Sequence, residues 1–152
     1  MIKIQSVRGT KDIYSSAMRN YNYIINEARF VSELFGYEEA SFPIFERAEV
    51  YSRPLGVSSD VVSKETYTFE DRGGENITLR PEGTAGVMRS ILSEGKINDL
   101  PLKLFYSGPM FRYERPQKGR LRQFFQIGIE SIGNHGPLED AEVIACGATL
   151  LQ

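Results

Sequence analysis

One cysteine, Cys146, and one histidine, His135, are all that the 152 residues contain of the two side chains most used for disulfides, zinc and nucleophilic chemistry. A lone cysteine excludes an intrachain disulfide and suits a reducing compartment. Without a cysteine–histidine cluster the usual basis for a structural zinc site is gone, and no metal-ligating residue is assigned. A Ser/His/Asp set has only His135 to draw on, and its place in Gly133–Pro137 marks a turn residue rather than a base or ligand. Cys146, in a predicted helix, reads as a small packing residue. The chain has no phosphate loop of the Walker type, which removes the commonest nucleotide signature. It has neither a basic-then-apolar leader nor an apolar run long enough to span a bilayer, so a cytoplasmic protein without a membrane partner is expected. Nor is there a surplus of one charge. With 18 Lys and Arg against 20 Asp and Glu, the formal charge of -2 gives no global field for nucleic acid, and any such contact needs a local basic patch.

What is present suits one soluble globular domain, with 41% hydrophobic and 25% charged residues. From Ala17 to Phe35, the residues Met18, Tyr21, Ile24, Ile25, Ala28, Val31, Leu34 and Phe35 recur at helical spacing and stop near Gly36. Tyr37–Phe45 then reads as a strand interrupted by Pro43, which cannot donate to a ladder and belongs at an edge or an interface. Glu65–Glu70 and Asn76–Arg80 flank Asp71–Asn76, whose two glycines are expected to supply positive φ for a hairpin. Beyond it, Ala85, Val87, Met88, Ile91 and Leu92 form the apolar side of a helix for which Thr84 is a candidate N-cap. A last helix starts at Pro137, with Glu139 and Asp140 in its first turn. The chain stops inside that helix without a C-cap and so reads as truncated. No internal repeat or low-complexity stretch occurs.

The richest segment is Gly108–Glu130, GPMFRYERPQKGRLRQFFQIGIE. If Leu102–Glu114 and Phe124–Ile132 are antiparallel strands, side chains alternate between two faces. Phe125, Ile127 and Ile129 then face a core. Phe124, Gln126, Gly128 and Glu130 offer the other side an aromatic plate, an amide, a gap and a carboxylate. On the first strand Met110, Arg112 and Glu114 share a face. The planar, permanently charged guanidinium of Arg112 is suited to a bidentate grip on phosphate or carboxylate. Lys118, Arg120 and Arg122 around Gly119 make a basic arm fit to close over a triphosphate or touch a nucleic-acid backbone. By charge alone a solvated hairpin tip is the favoured reading, and the same-face arrangement of Arg112, Gln126 and Glu130 brings the two readings level.

The spacing of Arg112, Glu114 and Phe124, an arginine, any residue, a glutamate, a variable loop and a phenylalanine, resembles motif 2 of the class II aminoacyl-tRNA synthetases. GPMFRYERPQKGRLRQF is similar to the histidyl-tRNA synthetases in particular, as are TLRPEGTA at Thr78–Ala85 and VRGTKDI at Val7–Ile13. The three matches span most of the chain to Gly133. The predicted first helix, strand and Pro43 resemble motif 1, although core packing with an edge strand accounts for them equally well from sequence alone. The resemblance implies an α+β fold, an antiparallel β-sheet flanked by helices. Residues 1–152 would then form a partial catalytic domain with motifs 1 and 2 but without motif 3 or an anticodon-binding domain.

It also implies roles. Arg112 would be the catalytic residue, contacting the ATP α-phosphate and the substrate carboxylate. Glu114 would read the adenine amino group, Phe124 would stack on adenine, and Arg120 would hold the outer phosphates. Glu82, Thr84 and Gln126 would bind the α-amino group of histidine, and Glu130 would accept from its imidazole. Locally, Thr84 as a helix cap and Glu130 as a solvated end-of-strand acid remain open. The implied reaction is attack of the histidine carboxylate on ATP, which brings Mg2+ with it, followed by transfer to tRNA(His). It needs positioning and charge stabilisation rather than a nucleophilic side chain. Also implied is a homodimer through motif 1, and the isolated chain is expected to charge tRNA weakly or not at all. Two rivals are a synthetase-like regulatory subunit of ATP phosphoribosyltransferase in histidine biosynthesis and a synthetase-like RNA-binding module. The joint presence of Arg112, Glu114, Arg120 and Phe124 tells against the first, and the match close behind Met1 against the second.

Overall fold

The computed structural model describes residues 4–52 and 65–152, which include every candidate site residue. The chain divides into two compact units. One takes in Met1–Ile13, Phe42–Arg89 and Pro109–Gln126, the other Tyr14–Ser41, Ser90–Gly108 and Ile127–Gln152.

The second unit is built on α1, Ser15–Leu34. The helix ends as its sequence dictates: Tyr37 N donates to Ser32 O at 3.0 Å and Gly36 N to Glu33 O at 3.0 Å, with Gly36 at φ 79. This is the Schellman arrangement, which places a residue without Cβ in the left-handed region. A strand, β1 (Glu38–Glu39), follows at once and pairs in parallel with β5 (Leu102–Phe111), Glu39 opposite Phe105. The neighbour of β5 on its other side is β6, Gln123–Ile132. The final helix, called α4 here, covers Pro137–Leu150 with proline in its first turn and Glu139 and Asp140 beside its positive end.

The core of this unit is Ala28, Val31, Tyr37, Phe105 and Cys146, closed by Phe35, Ile127, Ile129 and Leu150. Cys146 is thus a packing residue, and burial pushes its thiol pKa up. Burial also raises the Tyr37 hydroxyl to about 12. Only part of the expected α1 stripe goes inward, since Ile24 and Leu34 remain 53% and 67% exposed. The helix packs against β1 and α4, a strip wide enough for the Ala28–Val31 side alone. Tyr23, Phe30 and Leu34, spaced as neighbours on one face, are left exposed together.

In the first unit β2 (Phe45–Arg47), β4 (Asn76–Leu79) and β3 (Tyr67–Glu70) form an antiparallel sheet in that order, followed in the chain by α3, Thr84–Ser93. A short helix, α2, spans Glu49–Ser52 and buries Tyr51. The predicted strand Tyr37–Phe45 is therefore two strands in two sheets, parted at Pro43, which has no N–H for either ladder. At the β3–β4 turn Asp71 Oδ1 accepts from Gly73 N at 2.8 Å and Glu75 N at 2.9 Å, so the aspartate does part of what was assigned to glycine. Of the two glycines only Gly74 has positive φ, at 85. On α3, Val87 and Ile91 are buried as expected, whereas Met88 and Leu92 are 39% and 62% exposed.

The fold is α+β as expected. The sheet content is split, however, into a three-stranded antiparallel sheet and a three-stranded sheet that includes the parallel β1–β5 pair. Among the described residues no helix is long and apolar enough to cross a membrane.

Candidate functional site

Arg80 organises the first unit. It follows β4, is 8% exposed, and donates from Nε to Pro109 O at 2.9 Å and from a terminal nitrogen to Phe42 O at 2.8 Å. Its own carbonyl accepts from Phe111 N at 2.9 Å. A buried guanidinium satisfied by backbone carbonyls is a structural strut. Nothing in the local sequence pattern of Arg80 distinguishes it from a surface arginine. Its next residue, Pro81, presents a carbonyl to Arg112 Nε at 2.9 Å, so the residue that follows β5 is fastened to the TLRPEGTA segment one position before Glu82.

The first predicted strand stops at Phe111 rather than Glu114. Glu114 N donates to Arg112 O at 2.8 Å, a three-residue turn that folds Glu114 back beside Arg112. Met110, expected on the polar face, is fully buried at 0% exposure. Arg112 and Glu114 meet because they have left the strand. The Arg112 guanidinium lies 5.0 Å from the centre of the Phe124 ring and 3.8 Å from a Glu114 oxygen. Arg120 Nε is 3.0 Å from Glu114 Oε2, an ion pair out of hydrogen-bond alignment. The Glu114 side chain is 12% exposed, against 38% for Arg112 and 60% for Arg120. A nearly buried carboxylate between two arginines keeps both cations local while leaving their outer edges to solvent.

The expected basic arm is built on a tight turn. Gln117 and Arg120 exchange backbone hydrogen bonds at 3.1 and 2.9 Å around Lys118 and Gly119, with Gly119 at φ 78, as a type II turn requires. Arg122 is turned away from the arm. Its guanidinium stacks 4.1 Å from the Tyr113 ring centre and its Nε donates to Glu114 O at 3.1 Å.

Thr84 is not the cap of α3. The carboxylate of Glu82 accepts from Thr84 N at 2.6 Å and from Ala85 N at 2.9 Å, and Thr84 is the first helical residue. A carboxylate at a helix N-terminus satisfies two free N–H groups and meets the positive end of the dipole. Its remaining lone pairs suit an ammonium donor. Replacing Glu82 with alanine is expected to cost about 1 kcal/mol, roughly 2–4 °C in thermal midpoint for a chain of this size. Thr84→Ala should cost less, and a calorimetric melt ranking the two the other way round would overturn this assignment of the cap.

Gln126 lies two residues beyond Phe124 in the same strand, and its Oε1 is buried without a hydrogen-bond partner in the described structure. A buried amide oxygen left unsatisfied is an acceptor awaiting a donor. Phe125, expected in a core, is 39% exposed. It shares a strand side with Ile127 and Ile129, but the core they close belongs to the second unit and Phe125 to the first. Glu130 also belongs to the second unit, where Tyr106 O–H donates to its Oε1 at 3.4 Å. The gap read at Gly128 is filled from within the protein. A Cβ there would lie 2.3 Å from Tyr106 Cζ. The first unit thus brings together Arg112, Glu114, Arg120 and Phe124, with Glu82 next in the chain to the Pro81 anchor of Arg112, Thr84 N bonded to Glu82, and Gln126 farther along β6, while Glu130 stands with Tyr106 in the second.

Residues 9–152 match a family model described as histidyl-tRNA synthetase. Among curated proteins, a histidine-tRNA ligase from Gluconobacter oxydans is 56% identical over 152 residues, covering 100% of this chain and 37% of the relative. One from Rhodospirillum rubrum is 55% identical over 151 residues, covering 99% and 36%. The chain therefore spans little more than a third of the length of these relatives. Among solved structures, apo histidyl-tRNA synthetase from S. aureus superposes with a TM-score of 0.82 at 38% identity, covering 97% of this chain and 34% of that one. A Bacillus halodurans protein described as an ATP phosphoribosyltransferase regulatory subunit/histidyl-tRNA synthetase gives 0.85 at 25% identity, covering 99% and 38%.

Proposed function

Because this chain belongs to the histidyl-tRNA synthetase family, we propose that it supplies the ATP-binding and part of the histidine-binding surface of a cytoplasmic histidine-tRNA ligase. Residues 1–152 are then part of its catalytic domain, carrying motifs 1 and 2. The reaction is activation of histidine to histidyl-adenylate with release of pyrophosphate, then transfer of the histidyl group to tRNA(His).

The observation that carries this reading is the half-exposed Arg112 guanidinium, anchored to Pro81 O and set between the Phe124 ring and Glu114. Adenine stacks on Phe124, and Glu114 accepts from its amino group. Arg112 then lies against the α-phosphate, where negative charge builds as the histidine carboxylate attacks in line. Arg120 holds the outer phosphates. Glu82 and Thr84 accept from the substrate ammonium, the Gln126 oxygen gains the donor it lacks, and Glu130 selects imidazole through its N–H groups. A site built to hydrogen-bond that ring rejects amino acids lacking it, because its own polar groups would otherwise be left unpaired.

Among the described residues no group of three or more His, Cys, Asp and Glu converges as a metal site. We assign magnesium no protein ligand and route no step through it. Bound to the nucleotide, it supplies neutralisation of phosphate charge. The exposed Tyr23, Phe30 and Leu34 face of α1 supports a homodimer through the motif 1 region.

The test is exchange of labelled pyrophosphate into ATP by this chain, with histidine and with other amino acids, alongside equilibrium dialysis of ATP and histidine. Histidine-dependent exchange, however slow, supports the proposal. Binding of neither ligand sinks it. Histidine binding without any affinity for ATP would favour instead the regulatory reading suggested by the description of the B. halodurans protein.

A further inference from the structure

Arg122 differs from its basic neighbours Lys118 and Arg120 in having its side chain engaged along its length within the first unit. Its Nε donates to Glu114 O, its guanidinium covers the Tyr113 ring, and its aliphatic stem lies on Gly9 so closely that a Cβ on residue 9 would come within 2.7 Å of Cγ and 2.9 Å of Cδ. The backbone is fastened at the same point: Arg122 N donates to Gly9 O at 2.7 Å and Arg122 O accepts from Arg112 N at 2.9 Å. Gly9 has φ 86 and is presented by a turn in which Thr10 donates to Val7 O from both its N, at 2.9 Å, and its hydroxyl, at 2.7 Å. Tyr113 in turn is braced by its N–H to Glu65 O at 2.7 Å and by an edge contact with Tyr67 at 5.5 Å.

From this geometry we infer that Arg122, clasped by Gly9, is the positioning residue that sets Glu114 for adenine, and hence a determinant of ATP over GTP. The inference rests on the reading of Glu114 proposed above. Arg112 and Arg120 hold the Glu114 carboxylate through ion pairs, which have little directional demand. Its backbone is held by Arg122. Adenine offers an amino donor where guanine has a carbonyl oxygen, so a well-placed carboxylate attracts one base and repels the other. Triphosphate affinity comes from cations and needs no such placement. Release of the clasp should therefore weaken ATP and leave GTP almost unchanged.

The experiment titrates this chain with fluorescent derivatives of ATP and GTP, comparing wild type, Gly9→Ala and Arg122→Gln, with a thermal melt of each. At residue 9 alanine meets both an unfavourable φ and the Arg122 stem, so both substitutions open the clasp, from opposite sides. About a tenfold loss of ATP over GTP preference in both variants is expected, the scale on which small misplacements act. If Gly9→Ala fails to fold, Arg122→Gln alone decides. A lowered melting temperature with the ATP/GTP ratio unchanged overturns the inference and leaves Arg122 a purely structural strut. A wild-type chain that does not prefer ATP overturns the Glu114 reading, and this inference with it.

Discussion

Arg112→Ala should lower histidine-dependent pyrophosphate exchange by roughly a thousandfold, the scale on which preorganised charge stabilisation acts in phosphoryl and acyl transfer. The fold should survive. The substitution removes one hydrogen bond, to Pro81 O, and one cation–ring contact, to Phe124, at a half-exposed side chain. Together these are worth about 1–2 kcal/mol. Arg112→Lys should fall between wild type and alanine, because an ammonium keeps the charge but not the planar fork that holds two oxygens at once. ATP binding, measured by equilibrium dialysis on the same proteins, should weaken much less than exchange, since the guanidinium acts chiefly on charge that develops in the transition state. Equal losses in binding and exchange would make Arg112 a general anchor for nucleotide and move catalysis to another cation.

Gly128→Ala should produce the largest loss of stability among single methyl additions in the second unit. Its Cβ would lie 2.3 Å from Tyr106 Cζ, 2.4 Å from the hydroxyl oxygen and 2.8 Å from Cε1, and Tyr106 is only 4% exposed. The collision is with a ring rather than with the free end of a flexible chain, so relief requires movement of the ring or of β6. A cost near 3 kcal/mol is expected, roughly 6–12 °C in thermal midpoint. Tyr106 also donates to Glu130, so the same substitution should disturb the candidate imidazole acceptor. A double-mutant cycle with Tyr106→Leu, which lacks the atoms struck, should recover most of the penalty. An undiminished penalty in the leucine background would place the strain in the backbone instead.

Legibility from sequence followed the range of the interactions involved. Helix α1, its glycine stop, the β3–β4 hairpin and the proline start of α4 are set by contacts within a few residues, and each was read close to where it lies. The candidate site was legible as a motif, with Arg112, Glu114 and Phe124 at their spacing, because that spacing encodes which residues return to one place. How they return was not. Strand alternation would set Arg112 and Glu114 on one face, whereas a three-residue turn brings them together after the strand has ended. The α3 cap was likewise left open: threonine and glutamate both satisfy N–H groups, and only the fold shows that the Glu82 carboxylate is the one that reaches them.

By itself, then, the sequence determined most element positions, which follow from hydrophobic period and turn chemistry, and the family, which follows from specific motifs and carries the α+β class with it. Tertiary structure alone decided which apolar residues are covered, that Arg80 is a buried strut and Arg122 is clasped between Gly9 and the Tyr113 ring, and that Gly128 leaves room for Tyr106 instead of for a ligand. Those outcomes depend on what arrives from distant parts of the chain, and an arginine or a glycine carries no local mark of the partner it will meet.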